Sequence, residues 1–335
     1  MTALPVGKLK LEQLQPLLEK YTSADDRVLV GAQVGEDAAV IDFGDTYLVA
    51  KTDPITFVAD DIGWYSIVVN ANDIATRGAT PKWFLATLLL PEGRTTEKSV
   101  ETIFAQLAAA CRQYQIAFCG GHTEITHGLD RPILVGQMLG EVPRDKLVQT
   151  SGAQVGDQIL LTKGVAIEAT SIIARIKYQE LSQQYPAAFL QTCADFIYSP
   201  GMSIVEEALI ARQGGTVTAM HDPTEGGLAT GLHEIAEAAG VGLHITREAI
   251  PVFAETQELC QRYGLDPLGV IASGALVLTT PPHHAPQIIQ ALHTQGIATT
   301  VIGTVVEAQQ GRILVEGETS AALPIFHQDE ITKIF

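Results

Sequence analysis

The 335-residue chain is poor in aromatic residues, at 6%, and in charged ones, at 18%. Positive charge is scarcer still: 21 Lys and Arg stand against 38 Asp and Glu, a net −17. So negative a surface repels phosphate backbones, which argues against duplex DNA or RNA as a partner. A small polyphosphate would be repelled too, unless a divalent cation came with it. The four cysteines, Cys111, Cys119, Cys193 and Cys260, are far apart and form no C-x-x-C pair. Neither a zinc knuckle nor a thioredoxin-type site is therefore expected. Such sparse use suits a reducing, cytoplasmic setting with each thiol a small buried hydrophobe. The first ten residues lack the apolar stretch of a signal peptide. The longest apolar runs, such as 83–90, are too short to span a bilayer. Also missing are a P-loop, a G-x-G-x-x-G opening a helix, a G-x-S-x-G elbow and an H-E-x-x-H pair.

What remains is an apolar chain, 46% hydrophobic, long enough for two domains. Helical and strand patterns alternate, so both blocks read as α/β or α+β. A helix is expected over 11–21, despite Pro16, and another over 61–77, capped by Asp60 or Asp61 and stopped by Gly78 and Pro81. A third starts at Thr95 or Thr96. Strands are expected at 38–41, 47–52, 83–90, 116–119 and 132–142, with 83–90 buried on both faces. Residues 143–157 are polar and glycine-bearing, which places the boundary between a domain over 1–150 and one over 151–335.

Chemistry gathers at element ends. Val34-Gly35-Glu36-Asp37-Ala38-Ala39-Val40 hands the chain from a glycine to two acids and then a strand. Two adjacent acids need water, a cation or a partner, since a lone buried charge is costly. Further acids and amides follow at Thr52-Asp53, at Asn70 to Asp73 and in Gly120-Gly121-His122-Thr123-Glu124. Asn70 and Asp73 share one helix face, and Asn72 points elsewhere. Either these acids are a solvated surface, or they hold a hard cation such as Mg²⁺, which prefers oxygen ligands. Gly120 and Gly121 would let backbone amides approach an anion, or form a plain turn. In Asp222-Pro223-Thr224-Glu225-Gly226-Gly227-Leu228, Gly226 and Gly227 would open a helix toward an anion, with Asp222 and Thr224 equally suited to capping.

Taken in order, these pieces resemble the superfamily of aminoimidazole ribonucleotide (AIR) synthases. The matching residues are Gly35 to Val40, Thr52-Asp53, Val69 to Pro81, Gly120 to Glu124, Gly156-Asp157, Asp222 to Leu228 and Ser273 to Leu276. They span about residues 34–306. The form of the last two motifs is most similar to HypE and AIR-synthase-related proteins. The resemblance implies a two-domain fold, the N-terminal domain forming a dimeric β-barrel with a second copy and the C-terminal domain an α+β sandwich. It implies ATP and Mg²⁺ as cofactors and attack by a substrate on the γ-phosphate, with a small-molecule or carried acyl substrate. The implied metal residues are Asp37, Asp53, Asp73 and Glu124. Asp37, Asp73 and Asp222 are the implied catalytic residues, and Asn70, Gly120, Gly121, Lys163, Gly226 and Gly227 the implied cofactor contacts. HypE proteins end in a cysteine that carries the reacting carbamoyl group. This chain has no cysteine after Cys260, so a HypE-like paralogue with an external substrate is expected. Alternatives are a thiamine-monophosphate kinase-like phosphotransferase, although that pattern has Asp-Gly-Leu where Gly226-Gly227-Leu228 stands, and a non-catalytic ATP-binding dimer in a maturation complex.

Overall fold

In a computed structural model of the chain, residues 9, 11–23, 25–31, 36–56 and 60–335 are described. Val34 and Gly35, which open the first acidic stretch, lie outside them. The first half comprises α1 (Leu11–Tyr21), β1 (Val28–Val30), β2 (Ala39–Asp42), β3 (Thr46–Ile55), α2 (Ile62–Thr76), β4 (Thr80–Pro91), α3 (Glu97–Gln113), β5 (Ala117–Thr126) and β6 (Ile133–Pro143). Its sheet has the order β1-β2-β3-β6-β4-β5. β3 and β6 pair antiparallel from Thr46 opposite Pro143 to Ile55 opposite Leu134. β4 and β5 run parallel, so the chain must cross over between them, and α3 is that crossover. Thr96 opens α3 with a reciprocal cap to Ser99. Val40, Val49, Phe84, Leu88 and Met138 bury one face of the sheet under Ile62, Ile67 and Ile74 of α2.

The second half comprises β7 (Gln158–Thr162), α4 (Ile167–Ile176), α5 (Tyr178–Leu181), α6 (Ala187–Ala194), α7 (Val205–Gly214), β8 (Ala219–His221), α8 (Gly227–Ala239), β9 (Gly242–Thr246), α9 (Ala254–Tyr263), β10 (Val277–Thr280), α10 (Ala285–Thr294), β11 (Thr299–Val306), β12 (Arg312–Glu316) and β13 (Thr319–Ala322). Its mixed sheet has the order β13-β12-β9-β11-β7-β10-β8. Ile159, Leu161, Val277 and Ile302 pack with Leu232 and Ile235 of α8 in its core. The fold is thus two α/β units, each a sheet with helices. The described strands form no closed barrel within one chain, so the expected barrel is not made by this chain alone. No helix among the described residues is long and apolar enough to cross a membrane.

Four local expectations change. β4 is not buried on both faces: Trp83, Leu85 and Leu89 are half-buried and Thr87 is exposed, because no second layer among the described residues covers the outer side. The Gly120 to Glu124 motif is strand, not loop. It pairs with β4 at Leu85–Gly120 and Ala86–Gly121, and a side chain on Gly121 would meet the Ala86 carbonyl at 1.9 Å. Asp61 does not cap α2 through its side chain, which instead accepts from Tyr198 Oη at 2.8 Å and faces Arg175 at 3.5 Å. Of the cysteines, only Cys119 is exposed.

The halves are bolted together by polar contacts that a sliding interface would break. Buried Asn72 donates to the Met202 carbonyl at 2.9 Å and accepts from the Ile204 amide at 2.9 Å. Arg212 donates to the Gly78 carbonyl at 2.5 Å. Replacing Asn72 orphans two backbone groups at a dry junction. Asn72→Ala should therefore cost about 2–4 kcal/mol, read from the urea midpoint with an unchanged slope.

Candidate functional site

Strand geometry sets the first two residues. On β3, Lys51 and Asp53 are two apart and share the face that carries buried Val49 and looks onto α2. From α2, Asp73 reaches the same spot. Lys51 Nζ lies 3.1 Å from Asp73 Oδ2 and 3.4 Å from Asp53 Oδ2. Asp73 is 5% exposed, and its Oδ2 has no aligned hydrogen-bond donor. Asn70, one turn earlier, is fully buried. Its amide donates to the Ser66 carbonyl at 2.9 Å and to the Asp53 carbonyl at 3.4 Å, which ties down the backbone of Asp53.

Asp37 closes the cluster beside Arg77. Its Oδ2 accepts from Arg77 Nη2 at 3.0 Å and faces His221 Nδ1 at 3.1 Å. Arg77 is entirely buried; it also pairs with Glu36 and donates to Thr150 Oγ1 at 2.6 Å. The other ring nitrogen of His221 meets Glu234 Oε2 at 2.7 Å. Asp37, His221 and Asp222 each offer a ligand atom within 4.8 Å of one another. First-half acids thus meet β8 and the turn that follows it across the domain junction.

The fields inside this cluster are unequal. Burial pushes the Asp37 carboxyl up, but His221, Arg77 and Lys51 together outweigh it and hold Asp37 well below the usual carboxylate range. Burial works against a charged His221, yet Asp37 and Glu234 raise it well above the ordinary imidazole value. Burial raises Asp73 to about 7; Lys51 opposes this, and Asp37 and Asp53 add to it. Asp222 is pushed well up by burial and then by Asp73 and Asp37. Lys51 stays charged because Asp73, Asp53 and Asp37 outweigh its own desolvation. Asp73 and Asp222 therefore resist ionising until more positive charge arrives. Carboxylate oxygens, an unaligned Asp73 Oδ2 and an ammonium already standing among them fit a hard divalent cation such as Mg²⁺.

Other sequence candidates fall elsewhere. Glu124 is exposed on edge strand β5 and bonds His122 Nε2, 3.1 Å away, and the Thr126 hydroxyl. β4 and β6 separate it from β3, roughly 14 Å across the sheet at about 4.8 Å per strand. Within one chain it does not join the cluster. Gly120 and Gly121 line a cavity of about 350 Å³ with Phe104, Leu107 and Phe118, which holds none of the acids. Lys163 is not open to a phosphate: its ammonium pairs with Glu207 at 2.6 Å and donates to the Gly201 and Ser203 carbonyls at 3.0 and 2.7 Å, using all three protons. Gly226 and Gly227 do open α8 with positive φ of 76° and 68°. The anion there is the chain's own: the Gly226 amide donates to Asp329 Oδ2 at 2.7 Å, and the Gly227 amide to the Thr224 carbonyl at 3.0 Å.

Sequence reasoning passed over Lys51, Arg77, His221 and Glu234. Two-residue periodicity alone would have put Lys51 beside Asp53. Arg77 lies within the quoted Val69 to Pro81 stretch and His221 adjoins Asp222, but nothing local shows that their charge is buried.

Arg77→Ala strands Glu36 without its buried countercharge and leaves Asp37 with His221 as its one remaining direct ion-pair partner among the described residues. It should lower stability by about 3–5 kcal/mol in denaturant titration. The ion-free protein should also lose stability from about pH 4 to pH 7. Over that window folded Asp73 keeps a proton that the unfolded chain, at 3.8, has released, so its share of the slope is negative, up to about 1.4 kcal/mol per pH unit, and raised Asp222 acts in the same sense. Depressed Asp37 acts in the opposite sense and below that window, its contribution fading as pH falls. His221 contributes fully below about 6.5 and loses its contribution above the window, as pH rises through its raised value. Asp73→Asn should remove about one proton's worth of slope, measured by thermal melts across pH.

Residues 35–142 match the family described as AIR synthase related protein, N-terminal domain, and residues 154–316 match its C-terminal domain. A hydrogenase expression/formation protein of Methanocaldococcus jannaschii is 28% identical over 331 residues, 95% of each chain. The carbamoyl dehydratase HypE of Cupriavidus necator is 30% identical over 270 residues, 79% of this chain and 73% of that one. Among solved structures, HypE in its complex with HypF aligns with a TM-score of 0.76 at 20% identity, over 95% of this chain and 100% of that one. HypE in complex with ATP aligns at 0.71 and 22%, over 94% and 91%. ThiL complexed with AMPPCP and TMP aligns at 0.71 and 21%, over 93% and 96%. The two domain matches, and the relatives that share both, show that the chain belongs to the AIR synthase related protein family, as a HypE-like member.

Proposed function

We propose that the protein is a Mg²⁺–ATP-dependent enzyme that transfers or cleaves the γ-phosphate to activate a small-molecule or carried acyl substrate. The observation that carries this reading is the convergence of Asp37, Asp53, Asp73 and Asp222 on one cluster between the two halves, around Lys51. Those carboxylates would hold the cation. The ion, when bound, would neutralise phosphate charge and orient the γ-phosphoryl group. The chain's own part is positioning. Arg77 and His221 fix the Asp37 carboxylate from two sides, and Asn70 fixes the Asp53 backbone. The burial that raises Asp73 and Asp222 keeps bulk water from competing for the same oxygens.

A carbamoyl or related acyl group is the favoured substrate, since the Cupriavidus necator relative is a carbamoyl dehydratase. The likeness to ThiL is one of fold and supports, as a second reading, phosphoryl transfer to a small phosphate ester. We further propose division into domains at about residue 150, and a homodimer. Leu48, Trp83, Leu85, Leu89, Ile133 and Leu139 are partly exposed along one sheet, an apolar face suited to a second copy.

ATP turnover with a carbamoyl or acyl substrate should need Mg²⁺ and fall on the order of a hundredfold in both Asp37→Asn and Asp73→Asn. ADP release by coupled assay measures it. Wild-type turnover in both variants would sink the reading. Calorimetric ATP binding with no ADP from any substrate would favour a scaffold instead.

A further inference from the structure

Lys51 stands where a cation belongs. Its ammonium lies between Asp53 and Asp73, and no further partner is needed to explain its position. The two acids are held from behind: Asp53 through the Asn70 amide on its carbonyl, Asp73 by its place in a buried helix. Asp37 is already matched by Arg77 and His221. The movable part of the arrangement is therefore the lysine, a point charge on a flexible four-carbon stem. A divalent ion cannot share both carboxylates with that ammonium without strong like-charge repulsion. An incoming polyphosphate would give the displaced ammonium a new anionic partner.

We propose that Lys51 is the resident counter-cation of the cluster, competing with the divalent ion for Asp53 and Asp73 so that the ion settles only together with an anionic ligand. This rests on the Mg²⁺–ATP reading above and extends it. The lysine makes ion and nucleotide entry mutually dependent, a coupling that must be the same seen from either ligand.

The test is Mn²⁺ titration of the full chain by electron paramagnetic resonance, with and without a non-hydrolysable ATP analogue. Wild type should bind Mn²⁺ weakly alone and much more tightly with the analogue. Lys51→Met should bind Mn²⁺ alone at least about tenfold more tightly, and the enhancement by the analogue should shrink by a similar factor. Lys51→Arg, which keeps the charge, should retain weak binding of the ion alone. If Lys51→Met does not fold, as judged by its melt, Lys51→Gln serves in its place. Equal Mn²⁺ affinity in wild type and the neutral variant overturns the role of Lys51 while leaving the Mg²⁺–ATP reading intact. Failure of the Mn²⁺–analogue pair to bind any variant, including wild type, overturns both.

Discussion

Buried charge must be matched, and that requirement organises this molecule. A guanidinium with no exposure, Arg77, sits between Glu36 and Asp37 at the end of α2. An ammonium sits between two more acids one strand away. Neither set is sustainable alone, because an unmatched ion in the interior costs several kcal/mol. The acids need the bases, and the bases fix where β3, α2 and the chain after β6 lie relative to each other. Thr150 extends the clamp into that linking segment, and His221 extends it into the second sheet. The same arrangement that makes the junction stable leaves Asp73 and Asp222 short of positive charge. Stability and binding capacity are here two readings of one electrostatic balance.

The two sheets contribute unequally to that balance. The first supplies Asp37, Lys51, Asp53 and, through α2, Asp73. The second supplies His221 and Asp222 at the end of β8, an edge strand of its sheet. An edge position lets the turn at 222–226 leave the sheet and meet the first domain. Gly227 makes the turn possible: a side chain there would come within 2.5 Å of the Leu268 carbonyl.

Much of this architecture could be read from the residues. α2 announces itself through its apolar run and its Gly78 stop, and α3 through Thr96. The aspartates of the cluster were each visible at an element end. What could not be read depends on contacts across long stretches of chain. β5 contains Gly120 and Gly121, which locally favour a turn, but the ladder to β4 overrides that preference. Lys163 looks available in sequence and is claimed by Glu207, on α7 of the same half and 44 residues later. The amide at Gly226 looks ready for an anion and is filled by Asp329, 103 residues later. Cys119 looks like its three buried counterparts, yet falls on β5, the edge strand of its sheet among the described residues. For the glycines and Lys163 the local pattern was sound and a distant partner decided the outcome.

Asn72 gives the junction a further meaning. The Asn72 amide grips the Met202–Ile204 segment by both its donor and its acceptor, so a swing of one half against the other here would have to break both bonds. Enzymes that shut like a jaw spend part of their ligand's affinity on the shutting. Where two halves are already tied, as at Asn72, that cost has been met in folding and not by a ligand.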